Sequence, residues 1–180
     1  IQRGIMRYDI ANEGYTIAGL EKDVDWQCPI SNGRMVNLSG RADRIDRRAD
    51  GSLQIIDYKS GSTPHLEYNG MEALFRGGAQ ERVSNIFQTM LYSMILHRKY
   101  KLESCPSLYF ASKMLNDDYS PLILDRTTGA YVERFSDISE EFESELNATL
   151  EELFDYSTPF RQTEDEDMCK YCDFKKICRR

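Results

Sequence analysis

Apolar and polar residues alternate over residues 15–22, with Tyr15, Ile17, Gly19 and Glu21 on one side and Thr16, Ala18 and Leu20 on the other, the period of a β-strand. Pro29, Ser31, Asn32 and Gly33 punctuate a turn. Residues 36–47 then mix β-branched and apolar residues with charge, and residues 52–59 hold Leu53, Ile55 and Ile56. Asp50-Gly51 between these arms signals a hairpin, and the strand at 15–22 is expected to pair with its first arm. A polar, Gly-rich loop with Pro64 and His65 follows over 60–78, and loops of that length beside a site are often functional. Helical spacing then takes over from about Ala79 to Tyr100, where Val83, Ile86, Phe87, Met90, Leu91, Met94 and Ile95 recur. Two further strands, predicted at 107–112 and about 130–135 on either side of the turn-rich 116–120 and Pro121, are expected to extend the sheet. Ser136-Asp137 offers an N-cap to a second long helix, whose stripe of Ile138, Phe142, Leu146, Leu150, Leu153 and Phe154 runs to about Tyr156 before Pro159 stops it. Strands, helix, strands, helix in that order predict an α/β domain with a central mixed sheet flanked by helices, not a doubly wound parallel sheet.

A chain of 180 residues with 41% apolar and 29% charged residues has the material for one core, so residues 1–180 are expected to form a single domain. No apolar stretch approaches a membrane span, and the first residues resemble neither a signal nor a transit peptide, so no membrane partner is expected. A chain starting at Ile1 is expected to be a fragment of a longer protein. A net charge of −7 argues against a nucleic-acid binder held by bulk charge. Nucleic-acid contacts must then come from local groups: Arg41, Arg44, Arg47 and Arg48, or His97, Arg98, Lys99 and Lys101, or Lys175, Lys176, Arg179 and Arg180. Each of these also reads as an ordinary solvated face.

The hairpin within residues 38–61 carries the candidate chemistry. A two-residue turn at Asp50-Gly51 would set Asp43 opposite Tyr58. A three-residue loop, Ala49 to Gly51 with Gly51 left-handed, pairs Asp43 with Asp57 and Ile45 with Ile55 instead, and this second register is the expectation. Asp57 and Lys59 then share a face while Tyr58 points to the other. Two carboxylates side by side repel each other, and a divalent cation resolves the conflict; hard oxygen ligands suit Mg²⁺ or Mn²⁺. Lys59 beside them could hold an attacking water or a phosphate oxygen. A solvated hairpin with surface charges is the alternative reading of the same residues.

The stretch Gly40-Arg41-Ala42-Asp43-Arg44-Ile45-Asp46, followed by Ile55-Ile56-Asp57-Tyr58-Lys59-Ser60-Gly61, resembles the RecB-type nucleases of the PD-(D/E)XK (restriction-endonuclease-like) superfamily. The resemblance implies that Asp43 and Asp57 bind the metal and that Lys59 serves the nucleophilic water. It implies Glu21, on the strand before this motif, as a residue near the metal or its waters. Gln88 and Tyr92, four apart on one side of the long helix, match a Q-x-x-x-Y pattern that in this family lies near the active site and the nucleic acid. Without the resemblance they read as polar flanks of an amphipathic helix.

Residues 167–180 hold a second constellation, Cys169-Lys170-Tyr171-Cys172 and then Cys178, whose thiolates could converge on a soft metal. No secretion signal supports a disulfide framework, so a reducing, cytoplasmic compartment is expected. Cys28 and Cys105 sit among strand-like neighbours and read as buried thiols. The spacing resembles the C-terminal motif of the AddB-type and CRISPR-associated members of the family, where three late cysteines join an early one around a [4Fe-4S] cluster. That early cysteine has no counterpart here, and neither does the His-bearing helix these members carry ahead of the Glu strand; His65 and His97 come too late. The expectation is a C-terminal fragment without its early helices, inactive or without its cluster as it stands, from a metal-dependent exonuclease of DNA repair or recombination linked to a helicase domain or subunit. The second reading is a non-catalytic module that binds DNA or a partner chain and keeps a structural cysteine metal site.

Overall fold

The strand read at 15–22 runs on to Pro29, so the sheet begins with a long antiparallel pair, β1 (Tyr15–Pro29) and β2 (Met35–Arg48). The structure, a computed structural model, describes all residues except 1, 12–13, 32, 62–64, 79–82, 115, 117, 160, 171 and 180. Asn32, Pro64, Ala79, Tyr171 and Arg180, named above, lie outside the described residues. The alternation expected along β1 does not hold: Ile17 faces Asp46 but Gly19 faces Ile45, so Ala18 is the extra residue of a bulge. Ile17 and Leu20 both end up exposed.

The turn into β3 (Leu53–Lys59) is the three-residue one. Gly51 has φ +85°, its N–H donates to the Arg48 carbonyl at 3.0 Å, and the Arg48 N–H donates to the Ser52 carbonyl at 2.9 Å. Asp50 Oδ1 also accepts from the Ser52 N–H at 2.9 Å. A side chain at position 51 would strain the left-handed backbone that the bulge requires. Ile45 accordingly stands opposite Ile55 and Arg47 opposite Leu53. Ile55 and Ile56 point to opposite faces and are fully buried, each contributing about 1.5–3 kcal/mol and pinning β3 from both sides.

β5 (Ser104–Phe110) lies parallel to β3 and completes the order β1-β2-β3-β5. Every residue of β5 is buried, which is why it shows a continuous run and no alternation. The segment expected as a further strand of this sheet is elsewhere: only Ala130–Tyr131 of it pairs as a strand, β7 of a small second sheet with β4 (Glu67–Tyr68) and β6 (Leu124–Asp125). The outer side of β5 is met instead by residues 121–122, with the Leu108 N–H donating to the Pro121 carbonyl at 3.0 Å.

Helices cover both faces. α3 (Ser84–Tyr100) buries Ile86, Met90 and Ile95 in the principal core with Ile45, Ile55 and Leu108. α4 (Ser139–Leu153) adds Phe142, Leu146 and Leu150, and Phe75, Phe87 and Phe135 cluster around Phe142. Ser136 does not cap α4, which starts after Ile138; its N–H and hydroxyl both donate to Glu103, at 3.1 and 2.5 Å. The stretch read as a plain loop over 60–78 contains β4 and a short helix, α2 (Met71–Arg76), that buries Met71 and Leu74. A helix that the sequence reading did not mark, α1 (Gln2–Ala11), precedes β1 and packs Ile5 and Tyr8 on the other face of the sheet against Ile56, Tyr58 and Tyr109. Among the described residues no helix is long and apolar enough to cross a membrane.

Candidate active site

Strict alternation along β2 would put Ala42 and Ile45, three positions apart, on opposite faces of the sheet. Both belong to the principal core, so the strand turns over between them, at Asp43 and Arg44. On β1 the facing position, between the pairs Leu20–Arg44 and Lys22–Ala42, is Glu21, which is exposed and has φ +46°. A non-glycine residue in that region marks a local bend.

The turnover delivers the carboxylates. Pairing of β2 with β3 ends at Arg44–Ile56, one step before Asp43 would face Asp57. There Asp43 reaches across to the neighbouring strand, its Oδ2 accepting from the Tyr58 N–H at 2.8 Å. Asp57 is 4% exposed, and Lys59 Nζ lies 2.6 Å from its Oδ2. That oxygen is sealed from solvent and receives no well-directed hydrogen bond, so the contact is a close ion pair of poor angle. Burial pushes the Asp57 carboxyl up; Lys59 pulls it down, and the negative charge of Asp43 pushes it up again. Asp43 and Asp57 therefore feel each other, with Lys59 in contact with the second.

Of the remaining predicted residues, Gln88 Nε2 donates to the Tyr92 hydroxyl at 2.9 Å, and Tyr92 is buried beneath β2. A Cβ on Gly40 would come within 2.4 Å of the Tyr92 ring, so the first glycine of the motif is there to admit that ring. Glu21 faces Asp43 across the ladder, and its charge acts on Arg41.

Several basic candidates are occupied. Arg44 does not face outward: it is buried on the α1 side, where Nε donates to Asp46 Oδ1 and NH1 to Asp9 Oδ2, both at 2.8 Å, and to the Tyr58 hydroxyl at 3.0 Å. Burial works against its charge, but the bonds to Asp46, Asp9 and Tyr58 more than compensate and hold the guanidinium protonated. The signal was available, since Arg44 and Asp46 are two apart on one strand and share a face. Arg41 pairs with Asp23, Arg98 with Glu143 and Lys99 with Asp25.

Cys28 and Cys105 are buried, as read. Cys169, Cys172 and Cys178 lie in a turn-rich tail, half-buried, with the Cys172 N–H donating to the Cys169 carbonyl at 3.2 Å and the Cys178 N–H to the Phe174 carbonyl at 3.4 Å. Among the described residues no three His, Cys, Asp or Glu side chains form a cluster that could hold a metal ion, so the structure does not bring the three thiols together. Nor does it gather Glu21, Asp43 and Asp57 into such a trio.

A family model, that of the PD-(D/E)XK nuclease superfamily, matches residues 2–179. Comparison with curated proteins finds no match.

Proposed function

The chain belongs to the PD-(D/E)XK nuclease superfamily, and on that premise we propose that it is a metal-dependent deoxyribonuclease in which Asp43 and Asp57 hold Mg²⁺ or Mn²⁺ and Lys59 serves the attacking water. The observation that carries this reading is Asp57, a buried carboxylate with one oxygen lacking a directed hydrogen bond, a second carboxylate acting on it and a lysine in contact. A fold maintained for stability alone gains nothing from that arrangement.

The donor set fits a hard cation, since Asp43 and Asp57 both offer carboxylate oxygen. Bound there, the cation would polarise a phosphate oxygen and make water a better nucleophile. The chain's own residues do the placing. Asp43, by accepting from the Tyr58 N–H, ties β2 to the stretch of β3 that carries Asp57 and Lys59. The Lys59 ammonium presents N–H donors beside Asp57, where it orients water or steadies charge on the phosphate as the ester P–O bond breaks. Glu21, across from Asp43, supports the site from β1, and Gln88 with Tyr92 holds the underside of β2.

The finer assignment, an exonuclease of DNA repair or recombination linked to a helicase domain or subunit and akin to the AddB-type and CRISPR-associated enzymes, rests on the motifs and on the spacing of Cys169, Cys172 and Cys178. As placed here those cysteines do not come together to fit a [4Fe-4S] cluster. The test is cleavage of labelled single- and double-stranded DNA by the full-length protein with Mg²⁺, with Mn²⁺ and with EDTA. Asp57→Ala and Lys59→Ala should each lower the rate by about 10²–10³-fold or more while DNA binding is largely kept, because affinity comes from contacts spread along the backbone. Cutting that persists in EDTA would refute the reading.

A further inference from the structure

On the face of the sheet away from Asp57, α1, β3, β5 and the segment before β6 frame an open cavity of about 440 Å³, within the range of small-ligand sites. Among the described residues no carboxylate lines it, although the chain carries a net charge of −7. Its one charged lining residue among the described residues is Arg48. Arg48 projects there half-buried; unlike Arg41, Arg44, Arg76, Arg98 and Arg134 it makes no ion pair with a carboxylate among the described residues. Its guanidinium hydrogen-bonds the Cys105 thiol and its charge acts on Tyr8 and on the Asp50 carboxylate, which still leaves N–H donors to turn to the cavity.

Tyr109 is the second unusual group. It is 3% exposed and its ring lines the cavity. Burial pushes this phenol well above its ordinary range, so it stays a donor at neutral pH.

The walls narrow the choice of ligand. Tyr8 meets Tyr109 and Tyr119 edge to face at 5.2 and 6.3 Å between ring centres. Tyr119 spends its hydroxyl on β5, accepting from the Phe110 N–H at 2.9 Å and donating to the Leu108 carbonyl at 2.5 Å, so it offers the cavity only a ring. A simple anion would satisfy Arg48 and leave this aromatic space empty. An uncharged ring would leave Arg48 unanswered.

We propose that the cavity is a nucleotide site, with the base against Tyr8 and Tyr119 and the phosphate on Arg48 and the Tyr109 hydroxyl. Base stacking on tyrosine and a guanidinium on phosphate are the pairings these groups make best. The ligand is either a free nucleoside monophosphate or the phosphorylated end of a single strand, which share this chemistry.

Calorimetric titration of the protein in EDTA with 5′-dAMP, deoxyadenosine, inorganic phosphate and a 5′-phosphorylated oligo-dA tests it. 5′-dAMP should bind in the millimolar range or tighter, and at least about tenfold more tightly than either the nucleoside or phosphate alone. Arg48→Gln should weaken it by about tenfold and Tyr109→Phe, which keeps the ring, by about threefold. Tighter binding of the oligonucleotide would identify a strand end as the ligand, and equal binding a free nucleotide. Asp57→Asn should leave the affinity unchanged whether or not the nuclease reading stands. Absence of 5′-dAMP binding, equal binding of phosphate alone, indifference to both cavity variants, or loss on Asp57→Asn would each overturn the proposal.

Discussion

Tyr92 fills the space that any side chain at position 40 would need: a Cβ added to Gly40 would stand 2.4 Å from its Cε1 and 2.5 Å from its hydroxyl oxygen. The neighbour is a ring, with little freedom to withdraw, and its hydroxyl is tied to Gln88. Gly40→Ala should therefore cost about 1–3 kcal/mol by overpacking. Tyr92→Leu, which removes the obstructing edge, should recover much of that loss in the double variant. Urea unfolding of the four proteins of this cycle checks the coupling, and purely additive effects would show that the contact is not what excludes a side chain.

Asp57 gives stability a particular dependence on pH. Its folded-state pKa is raised, and the rise survives the opposing pull of Lys59. Between the ordinary Asp range and the raised value the folded protein binds more protons than the unfolded one, so stability falls as pH increases through that window. Asp57→Asn should thus melt higher than the parent at pH 7 in EDTA, by a few degrees for an effect on the order of 1 kcal/mol. The gap should close below the ordinary Asp range. Calorimetric scans across pH measure this, and a variant that melts lower at pH 7 would show that the Lys59 ion pair outweighs the burial of the charge.

Arg44 answers two carboxylates and the Tyr58 hydroxyl from a buried position. Arg44→Met should destabilise the fold by about 3–5 kcal/mol, because it leaves Asp46 buried and unpaired. Arg44→Lys keeps the charge but loses the fork on Asp46, and should fall between the two in denaturant midpoint. Equal stability of all three would dismiss the network.

The tail makes a contrasting case. With the thiols of Cys169, Cys172 and Cys178 half-buried and not brought into a cluster among the described residues, Cys172→Ala should change the melting temperature of this chain by no more than about 1 °C, as for an ordinary surface substitution. In buffer free of Mg²⁺ and Mn²⁺, chelator treatment should likewise leave its melting unmoved. A clear drop in either measurement would mean that the cysteines bind metal in solution.

What could be read from the sequence was whatever local rules determine. The register of Ile45 on Ile55 follows from turn length and Gly51, and the long helix at α3 from its apolar period. Asp43, Asp57 and Lys59 were visible as candidates, but the bond from Tyr58 to Asp43 was not, because it depends on β2 turning over where two chains of contacts compete. Arg44 read as a surface charge since its partner Asp9 comes from α1, whose few partly buried apolar residues, Ile5 and Tyr8 among them, leave too short a stripe to announce a helix. Similarly, β4 and α2 are too short to stand out from a polar stretch, and the bulge at Ala18 is a compromise between two strands that neither reveals alone.

The two neighbours of β3 differ in how far along the chain they lie. β2 is joined to it by a tight turn, whereas β5 pairs Leu53 with Ser104, about fifty residues on, and the loop this closes carries an entropic cost that must be met before its contacts repay it. The hairpin bearing both carboxylates can thus assemble early and locally, while its burial awaits the arrival of α3 and β5. Until then Asp57 is a solvated carboxylate like any other, and the environment that sets it apart is among the last things the folding chain acquires.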